Sequence, residues 1–294
     1  MEVRVPLTIT PLSPIFGARI DGLDLGKLDD ATFDHLYAAW LRHHVLVLRD
    51  QTINDSQFEA FSARLGTLDP PPNQGAGRKS PAGFPNLYVI SNKKDGAGEP
   101  LGALGDGEAT WHTDMSYLED PPAASMLISR ILPAWGGDTF FCSMPGALAC
   151  LPAALRADIV NLQIKHDGTY DSGGNIRKGM QPNDDPATSA GALHPAIITH
   201  PESGVQSLYL GRRRNAYVAG QSFRESEALL DELWQYAALP QNVYCHRWRV
   251  GDVVLWDNRT TMHRRDAFDP ASERTMHRSQ IKAKGSINQM RRAA

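Results

Sequence analysis

The chain has 294 residues, a formal net charge of -3, 41% hydrophobic residues and 21% charged residues. That length can bury a substantial core, and the near-neutral balance excludes the basic footprint of a nucleic-acid binder. Three cysteines, Cys142, Cys150 and Cys245, are too few and too odd in number for a disulfide framework, so a reducing cytoplasm is expected.

The N-terminus carries no apolar signal core, and no stretch approaches the ~20 apolar residues of a membrane span. Leu7 to Thr10 and Ala18 to Leu25 read as short strands joined by a Pro-rich turn. Asp29 to His43 is an amphipathic helix in pattern: Phe33, Leu36, Ala39 and Trp40 recur at helical spacing, and Asp29 or Asp30 can cap it. Val45 to Leu48 follows as a buried strand, then a helix from Asn54 to Leu65 that Gly66 ends.

From Leu87 onward most apolar runs are strand-like: Leu87 to Ser91, Ala124 to Leu132, Thr139 to Ser143, Ala196 to Thr199, Ser207 to Leu210, Val243 to Val250, Asp252 to Asp257 and Thr275 to Ile281. Helices interrupt them at Pro145 to Leu162, where Pro152 starts the second of two, and at Ser222 to Ala238. Many short strands with few long helices predict one mainly β domain, a sandwich or rolled-up barrel with flanking helices. Two long polar stretches, 70–85 and 167–191, are rich in glycine and proline and are expected to act as lids.

Chemistry concentrates at His112-Thr113-Asp114 and, far downstream, at His263. On an extended segment residues two apart share a face, so His112 and Asp114 point the same way. Two imidazoles and one carboxylate cap one face of a non-heme Fe(II) and leave the opposite positions open. With ten histidines in the chain an isolated H-x-D pair is weak evidence, and the surrounding sequence decides.

That surrounding sequence includes Gly17-Ala18-Arg19-Ile20, Gly22-Leu23-Asp24-Leu25, Pro121-Pro122-Ala123, Gly136-Gly137-Asp138-Thr139 and Thr275-Met276-His277-Arg278. Together with the two histidines and Asp114 it resembles the Fe(II)/2-oxoglutarate-dependent dioxygenases of the taurine and 2,4-dichlorophenoxyacetate dioxygenase family, over nearly the whole chain. The resemblance implies a double-stranded β-helix, a cupin-like jelly-roll core, with Fe(II) as metal and 2-oxoglutarate and O2 as co-substrates. It implies metal ligation by His112, Asp114 and His263. Arg274 and Thr139 would hold the distal carboxylate of 2-oxoglutarate, a guanidinium being suited to a bidentate grip.

By the same resemblance Arg278 meets the anionic end of a small organic substrate, an aryloxyalkanoate first and an alkylsulfonate second. Asn92 and Tyr117 are further substrate candidates, while no member of Arg212-Arg213-Arg214 is singled out. The region Leu68-Asp69-Pro70-Pro71-Pro72-Asn73 lacks the histidine and tyrosine that help bind taurine, which counts against taurine itself. The carboxylate of Asp114 disfavours halogenation. A homo-oligomer, dimer or tetramer, is expected. A zinc hydrolase, which leaves Arg274 and Thr139 unemployed, and a non-catalytic metal-binding jelly roll stay open as alternatives.

Overall fold

The computed structural model describes residues 7–70, 80–104, 109–177 and 179–282. Residues 71–79 of the first expected lid, and Lys178 of the second, lie outside the described residues.

The chain opens with the hairpin β1 (Thr8–Pro11) and β2 (Ala18–Asp21), then helix α1 (Asp30–His43), β3 (Val45–Leu48) and helix α2 (Asp55–Leu65). Strands β4 (Leu87–Ser91), β5 (Ala103–Leu104), β6 (Ala109–His112), β7 (Ala124–Ile131) and β8 (Thr139–Ser143) follow. Helices α3 (Met144–Cys150) and α4 (Ala153–Ile159) lead to β9 (Gln163–Asp167), β10 (Gly191–Pro195), β11 (Ile197–Thr199), β12 (Gln206–Leu208) and β13 (Tyr217–Val218). Helix α5 (Phe223–Ala237) precedes β14 (Val243–His246), β15 (Val253–Asp257), β16 (Thr261–Arg265) and β17 (Thr275–Ile281). Among the described residues no helix is long and apolar enough to cross a membrane.

Helix starts follow the sequence closely because capping is local chemistry. Asp29 accepts from Thr32 N at 2.7 Å, and Asn54 and Ser222 each close a reciprocal capping box, with Gln57 and Glu225. Helix α1 ends on His44, whose φ of 66° is left-handed and turns the chain straight into β3.

Two sheets carry the core. One has the order β1-β2-β3-β15-β7-β17-β4-β5, the other β14-β8-β16-β6. Period-two alternation sorts their side chains. In β15, Val253 and Leu255 face outward onto α1 and α2 together with Leu46, Leu48 and Met126. Val254 and Trp256 face inward with Val47, Leu127, Met276 and, from the smaller sheet, Phe141. The outer face of the smaller sheet, through Cys142 and Met262, is covered by α3, α4 and α5. Two packed sheets with helices outside make the expected jelly-roll core.

Departures from the sequence reading have local causes. The strand expected over Val243 to Val250 stops at His246, because Asp252 accepts from Arg249 N at 2.8 Å and Gly251, φ 84°, turns the chain. The strand from Ala18 ends at Asp21, where Gly22 adopts φ 77° and a 3-10 turn follows at Leu25–Lys27. Strands β5, β9, β10, β13 and β16 were not foreseen, and β6 was expected only as an extended segment at His112; the Thr-Met-His-Arg-Arg of β16 has too much polarity to signal a buried strand. The second expected lid is bounded by β9 and β10, which pair with each other.

Candidate active site

His112 and His263 are opposed residues on the antiparallel pair β6 and β16. Directly opposite side chains on one sheet face are neighbours, and the two imidazole centroids lie 4.2 Å apart. Asp114 is not on the strand, contrary to the extended reading of His112-Thr113-Asp114. Strand β6 stops at His112, and Asp114 begins a turn in which Met115 has φ 49°. The carboxylate nevertheless reaches the rings, with Oδ1 3.6 Å from His112 Nε2 and 3.8 Å from His263 Nε2. Ligand atoms of the three residues lie within 4.8 Å of one another, and all three residues are buried.

Protonation states suit a divalent cation. His112 Nδ1 faces the Thr110 carbonyl at 2.7 Å, and since a carbonyl only accepts, Nδ1 carries the hydrogen, which leaves Nε2 as the nitrogen turned to the metal position. Burial pushes His263 well below the usual imidazole range, so it is neutral between the Phe141 and Trp256 rings. Burial opposes the Asp114 charge, but the Arg278 guanidinium and the two neighbouring imidazoles together outweigh it and hold the carboxyl well below the ordinary range. Two imidazoles and an ionised carboxylate are the donor set of a 2-His-1-carboxylate iron centre.

Beside this cluster a narrow cavity is lined by His112, His263, Thr139, Arg274, Arg278 and Arg265, with Ile90, Leu127 and Trp256 as its apolar wall. Arg274 is 2% exposed, and among the described residues its Nε has no hydrogen-bond partner and Nη2 reaches only the Gly137 carbonyl, at 3.4 Å. Burial, and then the Arg265 guanidinium, push Arg274 down to about 9. A buried cation in this state is suited to a carboxylate. Thr139 Oγ1 accepts from the Trp248 indole at 3.0 Å, which leaves its own proton to donate elsewhere. Gly137, φ 74°, passes so close to Arg274 that an added Cβ would lie 3.0 Å from Nε. The glycine pair therefore lets this turn wrap the arginine. A roomier hollow of about 840 Å³ lies between β1, β2 and α1, but none of these residues lines it.

The remaining sequence candidates fall in different places. Arg278 lines the cavity, yet its Nη2 donates to Asp114 Oδ2 and, at 2.9 Å, to Ser125 Oγ. Asn92 is used by the chain itself: Oδ1 accepts from Arg274 N at 3.0 Å and Nδ2 donates to Ser272 O at 2.9 Å, fastening the approach to β17. Tyr117 lies outside the cavity, its ring 4.1 Å from the guanidinium carbon of Arg177.

Ser172, within the second expected lid, touches the metal strand: its carbonyl accepts from Thr110 N at 3.0 Å. The arginine run divides. Arg213 pairs with Glu227 and Asp231 on α5, Arg214 stacks on Tyr170 at 3.5 Å, and Arg212 is buried. Sequence reasoning missed Ser125, Trp248 and Arg265. Arg265 was within reach, because it sits two residues after His263 and shares its face once β16 is taken as a strand.

The comparisons with known proteins agree with this geometry. The family described as Taurine catabolism dioxygenase TauD, TfdA family matches residues 8–280. The (S)-phenoxypropionate/alpha-ketoglutarate-dioxygenase of Sphingobium herbicidovorans is 34% identical over 295 residues, covering 93% of this chain and 94% of its own. The alpha-ketoglutarate-dependent sulfate ester dioxygenase of Pseudomonas putida is 33% identical over 273 residues, covering 87% and 83%. Among solved structures, AAD-2 in complex with Mn(II) and N-oxalylglycine superposes with a TM-score of 0.76 at 29% identity, over 96% of this chain and 99% of that one. A jelly roll carrying two opposed histidines, an aspartate and a buried arginine, matched along nearly its whole length, belongs to the TauD/TfdA family of dioxygenases.

Proposed function

We propose that this protein is an Fe(II)/2-oxoglutarate-dependent dioxygenase that hydroxylates a small anionic organic compound while 2-oxoglutarate is converted to succinate and carbon dioxide. Where the hydroxylated carbon also bears an ether or sulfate oxygen, the product then falls apart and the substrate is cleaved. The observation that carries this reading is the buried guanidinium of Arg274, its Nε unpartnered among the described residues, opening into the same cavity as Thr139 and the two imidazoles.

His112, Asp114 and His263 would hold the metal from one side and leave the other side open. A ferrous ion bound there with 2-oxoglutarate supplies the oxidation of a C–H bond by dioxygen. The chain's own residues bind, orient and exclude water. Arg274 and Thr139 take the distal carboxylate of 2-oxoglutarate, the arginine through paired N–H groups and the threonine through the proton that Trp248 leaves free. Ile90, Leu127 and Trp256 keep water from that end of the pocket.

An aryloxyalkanoate is the substrate class we favour, on the phenoxypropionate relative. A sulfur oxyanion is second, on the sulfate ester relative. Three free cysteines fit a reducing compartment, and family likeness leads us to expect a homo-oligomer, which light scattering after size exclusion tests.

The experiment is anaerobic titration of the protein with Fe(II) and 2-oxoglutarate, followed by oxygen-dependent succinate release over a panel of aryloxyalkanoates, alkyl sulfates and sulfonates. A weak visible charge-transfer band is expected, and His112→Ala should remove it. A protein that binds Fe(II) without that band, or that hydrolyses esters with zinc, is not the enzyme proposed.

A further inference from the structure

Four arginines stand near the metal site with most of their surface buried, and three already have a place. Arg278 is neutralised by Asp114, Arg274 faces the 2-oxoglutarate end, and Arg265 lines the same cavity. The fourth is Arg212, 9% exposed, whose Nε has no hydrogen-bond partner among the described residues.

We propose that Arg212 and Arg177 form the receptor for the substrate's anionic group, a carboxylate or sulfate held beneath segment 168–190. This rests on the dioxygenase reading above and deepens it.

Both guanidiniums hang on one acceptor. Arg212 Nη1 donates to the Tyr170 carbonyl at 2.6 Å, and Arg177 Nε donates to that same oxygen at 3.0 Å. A neutral carbonyl shared by two cations leaves both charges to be balanced by something else. Asp167 and Asp171 are close enough to be felt by Arg212, yet among the described residues neither forms an ion pair with either arginine. Asp167 Oδ2 instead accepts from Thr169 N and Tyr170 N, its buried Oδ1 bonds to none of the described residues, and Asp171 Oδ1 accepts from Gly173 N and Asn175 N. Burial, and then the Arg177 charge, push Arg212 down to about 10, against the opposing pull of Asp167 and Asp171.

Position ties the pair to the chemistry. The Gly211 carbonyl accepts from Thr113 N at 2.9 Å, so Arg212 leaves the backbone beside the residue between His112 and Asp114. Its direction is rigid: Gly211 has φ 65°, and an added Cβ would strike the His166 ring. Tyr117 supports Arg177 from below, with the ring centroid 4.1 Å from the guanidinium carbon. Two planar forks converging near one point match the bidentate demand of a carboxylate or sulfate, and neither fork is spent on the metal ligands.

The test uses Arg212→Met, Arg177→Met and the charge-keeping Arg212→Lys. Probes are 2-phenoxypropionate, 2,4-dichlorophenoxyacetate and hexyl sulfate, with 2-phenoxypropionamide as the neutral control. Succinate release and the anaerobic 2-oxoglutarate band are the two readouts. We expect KM for whichever anion is turned over to rise by at least about tenfold in each Met variant. The preference for anion over amide should shrink equally, kcat should hold within a few-fold, and the band should be unchanged; Arg212→Lys should recover part of the loss.

Unchanged KM in both Met variants overturns the proposal. So does a parallel loss of the band, which marks a merely structural role. It also fails if none of the three anions stimulates succinate release in a wild-type protein that shows the band. A wild type without the band overturns the dioxygenase reading instead, so the two failures are distinguishable.

Discussion

The guanidinium of Arg278 donates to Oδ2 of Asp114, leaving Oδ1 to face His112 and His263. The carboxylate is thus divided between an internal cation and the metal position. Ser125 Oγ, which donates to Oδ2 at 2.8 Å and is itself held by Asn258 Nδ2 at 3.1 Å, completes the clamp. Such outer partners orient a ligand and tune its basicity. Ser125→Ala should therefore weaken Fe(II) or Mn(II) binding by about tenfold, read by anaerobic titration. Arg278→Met should destabilise the metal-free protein by about 3 kcal/mol, because a buried carboxylate is left uncompensated. Denaturant unfolding measures this, and a loss below about 1 kcal/mol would contradict the clamp.

Arg274 predicts the opposite sign. It is a buried cation without a charge partner in the described residues, so its charge costs stability until an anion arrives. Arg274→Met should be at least as stable as the wild type without ligands. With Mn(II) and N-oxalylglycine the wild type should gain several degrees in Tm, and the variant should gain far less.

Trp248 holds the Thr139 hydroxyl from behind. Trp248→Phe keeps a ring against His246, whose centroid lies 4.5 Å away, but removes the donor. Loss of one neutral hydrogen bond, about 1 kcal/mol, should raise KM for 2-oxoglutarate about fivefold with kcat nearly unchanged. The effect should vanish in a Thr139→Ala background, where the hydroxyl being oriented is gone.

His44 gives a pH dependence. Burial lowers it to about 4 from 6.5, so the unfolded chain binds protons that the folded one refuses between those values. Stability is full above the unfolded value and falls as the pH drops through the window. Acidifying from about pH 7 to about pH 5 should cost about 2 kcal/mol from this residue alone. Asn tolerates the left-handed backbone at this position, and His44→Asn should flatten that part of the stability profile.

Much of this was readable in one dimension. Val45–Leu48, Leu87–Ser91, Thr139–Ser143 and Thr275–Ile281 form strands over the residues expected, and Asp29, Asn54 and Ser222 start helices, because apolar alternation and capping depend on neighbours in sequence. The three side chains of the metal cluster could be nominated from residue type and flanking motifs.

Only the tertiary structure decided how they meet. The register that sets His263 opposite His112 is a long-range pairing no local pattern encodes, and β16 is too polar to announce itself as a strand. The same holds for charge. Which arginine is neutralised by Asp114, which turns to α5, and which hangs on the Tyr170 carbonyl depends on segments that share no sequence neighbourhood. A sequence can name its cations, but only packing assigns their partners, because burial and Coulomb interaction act through space rather than along the chain.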